Sequence, residues 1–121
     1  MTIHDWLTLP EGVKLDQLSA MKGGWFVGAF SPAACNSSDV EIAVQNFPAG
    51  YCGEYHYHKI ATEVTLLLSG RACMAGIELK SGDIITLSPG TSTSFDALED
   101  CTTVVVKLPG TLNDKYLDDV F

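Results

Sequence analysis

The 121-residue chain predicts an all-β fold, a barrel or sandwich built from short strands. Eleven glycines are spread along the sequence. Short runs rich in valine, isoleucine and threonine lie between them. Turn-forming clusters, among them Pro48-Ala49-Gly50, Ser81-Gly82-Asp83 and Pro89-Gly90, punctuate those runs, a combination typical of sheets closed on themselves or packed in pairs. With 46% hydrophobic and 18% charged residues, the chain has the composition of a folded domain rather than a disordered one. Its length suits a single domain, residues 1–121, around one core.

Taken in order, residues 1–23 read as an N-terminal arm, with a strand expected at 5–9 and a turn at Pro10-Glu11-Gly12. Residues 24–30 (Gly-Trp-Phe-Val-Gly-Ala-Phe) predict a strand ended by Ser31-Pro32, and 31–38 a loop. Residues 39–47 alternate Val40, Ile42 and Val44 with polar or small neighbours, the period of a half-buried strand. Further strands are expected at 54–58, 62–69, 71–78, 84–87, 91–98 and 102–108. The tail, 110–121, is expected to pack as an extended arm or a short helix.

Charge narrows the function. Fifteen acidic against seven basic residues give a formal net charge of −8, and the cations are scattered. Nucleic acid and anionic membrane surfaces both require concentrated positive charge, so neither is an expected partner. An anionic small ligand stays open if one or two cations face inward. The N-terminus lacks the basic start and apolar core of a signal peptide, and no run is long enough to span a bilayer, so a cytoplasmic location is expected. Cys35, Cys52, Cys73 and Cys101 form no C-x-x-C pair and read as free thiols, with Cys73 and Cys101 expected in the core. Trp6, Trp25, Phe26 and Phe30 are expected in the core or a dimer interface.

The chemistry concentrates at residues 50–70. His56 and His58, two apart on a strand, project from one face. Glu63 completes a two-histidine, one-carboxylate set suited to a divalent transition metal with open positions. The full spacing, Gly50-x5-His56-x-His58-x4-Glu63-x6-Gly70, resembles the first motif of the cupin superfamily at every position. That resemblance implies a double-stranded β-helix, or jelly-roll, with its core motifs over about residues 40–108. The second cupin motif, G-x5-P-x-G-x2-H-x3-N, is matched at Gly82 and Gly90 only. Ser88 stands at the proline position, Thr93 at the third histidine and Ala97 at the asparagine.

The resemblance implies a metal (Fe, Ni, Mn or Zn) held by His56, His58 and Glu63 inside the barrel, or no metal at all, given Thr93. A small-molecule ligand, a carbohydrate or hydroxy-acid derivative, would sit beside Thr93 and Phe95, with Arg71 as a further pocket candidate. Small cupins commonly pair, so a homodimer is implied. The segment around His56-Tyr57-His58-Lys59 is also similar to the H-x-H-K stretch of the dTDP-hexose ketoisomerases, which use no metal and lack the glutamate. Three functions therefore stay open: a metal-dependent isomerase or oxygenase, a metal-free sugar or sugar-nucleotide isomerase or epimerase in which His58 takes the proton with a tyrosine assisting, and a non-catalytic binding or regulatory module; His58 and Glu63 are the candidate catalytic groups. A wider likeness, running from H-Y-H-K-x-x-T-E to D-K-Y, links the chain to small bacterial cupins of uncharacterised role.

Overall fold

The structure, a computed structural model, describes residues 9–118. Its strands are β1 (Trp25–Val27), β2 (Glu41–Phe47), β3 (His56–His58), β4 (Thr62–Ser69), β5 (Arg71–Met74), β6 (Ile77–Lys80), β7 (Ile84–Leu87), β8 (Phe95–Ala97), β9 (Cys101–Leu108) and β10 (Lys115–Leu117). The strand expected at 5–9 lies, save for Leu9, outside the described residues, as do Trp6 and 119–121. Among the described residues no helix is long and apolar enough to cross a membrane.

One sheet runs β1-β2-β9-β4-β7, a second β6-β5-β8, and β10 pairs with β3, with every strand pair antiparallel. Bridges at Cys52↔Asp96 and His56↔Thr93 stitch the chain leading into β3 onto the strand leading into β8. The two smaller sheets thereby form one discontinuous layer. Leu67, Leu87 and Cys101 from the five-stranded sheet meet Ala72, Met74, Leu79 and Ala97 from the other layer in a common core. Truncating a fully buried leucine such as Leu67 costs about 2–5 kcal/mol.

The register explains the inner surface. Glu41, Lys107 and Glu63 lie side by side across β2, β9 and β4, followed by the row Ala43, Val105, Thr65 and then by Gln45, Thr103, Leu67. The apolar alternation Ile42, Val44 in β2 thus faces away from the barrel interior, and Leu18, Met21 and Phe26 gather around Val44 on that outer side. The stretch 71–78, expected as one strand, is a hairpin. Ala75 (φ 54°) and Gly76 (φ 73°) turn it, the left-handed pair that suits the twist of a two-residue loop. The stretch 91–98 shortens to β8, and the tail forms β10 rather than a helix. Gly70 is a sterically dictated position: φ is 92°, and a Cβ there would lie 2.2 Å from the Asp100 carbonyl oxygen.

Candidate metal centre

β3 and β4 follow each other in sequence but belong to opposite layers, so the short link 59–61 must turn sharply between them. Asp114 holds that link. Its carboxylate accepts from the backbone N–H of Lys59 at 3.1 Å, of Ile60 at 3.1 and 3.3 Å, and of Ala61 at 2.9 Å. Burial alone would push the Asp114 carboxyl up, but these donors outweigh it and hold it below the usual carboxylate range. β10 then pairs Lys115 with His58 and Leu117 with His56, while Tyr116 stacks on Tyr57 at 5.5 Å. The tail therefore builds the wall from which both histidines project.

His56, His58 and Glu63 converge: one ligand atom from each lies within 4.8 Å of the others. The backbone fixes the histidine tautomers. Nδ1–H of His58 donates to the Asp114 carbonyl at 2.9 Å, and Nδ1–H of His56 to the Glu54 carbonyl at 2.8 Å. Each neutral ring then turns an Nε2 lone pair toward the interior, the arrangement in which outer hydrogen bonds orient metal-binding imidazoles. Nε2 of His58 is buried without a hydrogen-bond partner and lies 3.5 Å from Oε1 of Glu63. Two lone-pair bearers at that separation attract each other only when a cation, metal ion or proton, joins them. Burial pulls His56 below its ordinary value and favours the neutral, ligating form. Burial pushes the Glu63 carboxyl up, but when Nε2 of His58 carries a proton its hydrogen bond and charge, with a smaller contribution from Lys107, hold the group below the usual carboxylate range. The donor set suits a borderline divalent metal.

The three groups open into a cavity of about 310 Å³. Phe47, Phe95, Met74 and Val105 supply apolar wall; Phe47 packs against Tyr51 at 4.7 Å and Phe95 at 4.9 Å between ring centres. Trp25, expected in the core or an interface, stands at the cavity edge.

Phe95 thus lines the cavity, whereas the other two pocket candidates do not. Thr93 pairs with His56 in register and is buried, but its hydroxyl is committed elsewhere, accepting from the Ala75 N–H at 2.8 Å and steadying the β5–β6 turn. Arg71 points outward and pairs with Glu78 at 2.8 Å and Glu99 at 3.4 Å. Ala72 and Met74 fill the inner positions of β5, so Arg71 and Cys73 take the outer ones.

Two cations that the sequence reading did not single out do reach the cavity, Lys107 and Lys115. Lys107 continues the inward alternation Thr103, Val105 along β9, a signal that parity alone would have supplied. Asp114 was visible only as part of the D-K-Y likeness, because its partners are backbone groups far away in sequence.

No family model matches the chain, and no curated protein matches it in sequence. Solved structures do. An uncharacterised conserved protein with a double-stranded β-helix domain from Klebsiella pneumoniae superposes with a TM-score of 0.61 at 26% identity, over 69% of this chain and 77% of that one. DMSP lyase DddQ from Ruegeria pomeroyi gives 0.62 at 22% identity, over 77% and 49%. Oxalate decarboxylase from Bacillus subtilis, an enzyme with Mn(II) centres, gives 0.58 at 22%, over 67% and 24%. The chain thus spans about half the length of the lyase and a quarter of the decarboxylase.

Proposed function

Starting from a double-stranded β-helix of cupin fold, we propose that the protein binds a divalent transition metal (Fe, Ni, Mn or Zn) through His56, His58 and Glu63. A small polar ligand, a carbohydrate or hydroxy-acid derivative, enters the cavity beside it. The observation that carries this reading is the buried, unpartnered Nε2 of His58 facing the Glu63 carboxylate at 3.5 Å. A bound ion supplies Lewis-acid polarisation of a ligand oxygen.

The chain's own residues do the rest. The Nδ1–H bonds of both histidines hold the rings in orientation, and Phe47, Phe95 and Val105 keep one side of the cavity apolar. Isomerisation and oxygenation are the reaction classes to test, and a homodimer is the proposed assembly. Ile84 on the edge strand β7 and Ile77 on the edge strand β6, 64% and 53% exposed, support that assembly.

A second reading rests on the same pair. With a proton in place of the ion, His58 and Glu63 form an acid–base dyad of a metal-free isomerase, and Tyr51 in the cavity wall is the tyrosine that assists. Metal content per chain, measured by plasma mass spectrometry for wild type, His58→Ala and Glu63→Ala, separates the two. The metal reading expects near-stoichiometric metal that both substitutions abolish. No uptake by wild type after incubation with iron, nickel, manganese and zinc overturns it, and turnover that survives chelation favours the dyad. Saturable binding without turnover of any substrate identifies a binding module.

A further inference from the structure

We propose that Lys107 is the charge-recognition residue of this cavity and that the natural ligand carries a carboxylate. The inference deepens the proposed function and rests on that reading for the identity of the site. Lys107 stands on the inner face of β9, in register between Glu41 of β2 and Glu63 of β4. Its ammonium lies 4.7 Å above the Trp25 ring. Among the described residues no carboxylate oxygen comes within the 4.0 Å of an ion pair with it.

The cation is thus steadied by an aromatic face, a weaker contact than an ion pair, so its charge is still available to a ligand. Lys115, the other cavity cation, is partly satisfied by Glu54 at 3.5 Å. In a chain of net charge −8, an inward ammonium with no carboxylate within ion-pair distance among the described residues marks the Lys107 end of this cavity as the place that can receive an anion. One ammonium flanked by Glu41 and Glu63 matches a singly charged carboxylate better than a phosphate dianion, which the two glutamates repel about twice as strongly. A carboxylate on Lys107 would leave the rest of a small ligand to extend toward the histidines within the same cavity.

The test titrates lactate, malate and galacturonate, beside neutral methyl lactate and galactose and beside inorganic phosphate. Affinity is read by calorimetry and by the fluorescence of Trp25, which stacks on the reporting residue. Wild type, Lys107→Met, Lys107→Arg and the exposed-surface control Lys80→Met are compared, each manganese-loaded and metal-free, with metal content and melting temperature recorded for all. At least one carboxylate is expected to bind wild type and Lys80→Met. Lys107→Met should weaken it by about 10-fold to 100-fold, the loss of one charge-assisted hydrogen bond, at unchanged metal content, and Lys107→Arg should restore most of it. The inference is overturned if no carboxylate binds wild type, if the neutral compounds or phosphate bind as well, or if Lys107→Met binds carboxylates as tightly as wild type. Should wild type take up no metal, the metal reading fails by itself, and the wild-type to Lys107→Met ratio in the metal-free protein still decides the role of Lys107.

Discussion

Replacing Asp114 by asparagine loosens the metal centre without touching a ligand. The carboxylate accepts from three backbone N–H groups, but their losses are unequal. Lys59 and Ile60 are exposed, so water can take up their donors, while Ala61 is 2% exposed and its N–H would be left dry. Hydrogen bonds to a charged group contribute about 1.5–3 kcal/mol each. With one dry donor lost and one acceptor oxygen kept, Asp114→Asn should cost about 2 kcal/mol, and Asp114→Ala about 3 kcal/mol.

The pH dependence has a definite sign. The folded carboxyl titrates below its unfolded value, which is about 3.9. Its contribution is therefore complete above that value and disappears as pH falls through the folded one. Urea unfolding of the metal-free proteins should show a constant wild-type to Asp114→Asn gap from about pH 8 to about pH 5 that narrows below about pH 4. The main-chain carbonyl that accepts from His58 survives the substitution, so metal affinity should fall only through the loosened 59–61 link, by less than the roughly 10-fold to 100-fold that loss of such a partner brings. A gap below about 0.5 kcal/mol, a gap that persists undiminished in acid, or an unchanged metal affinity would refute the reasoning.

Three further outcomes are expected. Thr93→His should add an imidazole on the face of His56, its hydrogen-bonded partner across the bridge, tightening zinc or manganese binding by about 10-fold or more in a competition titration. The same change removes the acceptor of the Ala75 N–H and should lower unfolding free energy by about 1 kcal/mol. Gly70→Ala should destabilise by about 2–3 kcal/mol in chemical denaturation, since the methyl overlaps the Asp100 carbonyl and φ is left-handed. Arg71→Ala should leave metal and ligand affinity unchanged and the denaturation midpoint close to that of wild type, as expected for an exposed ion pair.

The sequence disclosed the part of the site that is local. His56, His58 and Glu63 lie on one strand and at the start of the next, so a period-2 reading with a short link brings them close. The terminal glycine of the motif was legible for the same reason, and its structural ground is the crossing past Asp100. What lay hidden depends on pairing between distant segments. Lys107 acquires its meaning from Trp25 and Glu63, which only the register of the five-stranded sheet sets beside it. Reading 71–78 as one strand missed the Ala75-Gly76 turn, because alanine seldom occupies a left-handed position. Cys73 was expected in the core, but Ala72 and Met74, small and flexible apolar residues, fill the inner positions of β5 and leave Cys73 and Arg71 on its outer face. Thr93 was expected beside the ligand, yet no sequence pattern reports that a hydroxyl is already spent on a turn.

The pairing of β10 with β3 has a consequence for biosynthesis. Every strand from β1 to β9 precedes Asp114 in the chain, so a polypeptide emerging from the ribosome can close most of its hydrogen-bonded ladders while His58 still lacks its orienting carbonyl and the 59–61 link its anchor. The candidate metal site therefore gains its anchor only after β9 has been made, and a nascent chain halted before residue 114 is expected to hold metal less well than one that includes β10. Pulse-labelled nascent chains of increasing length, assayed for metal retention, should show uptake rising steeply once β10 is available.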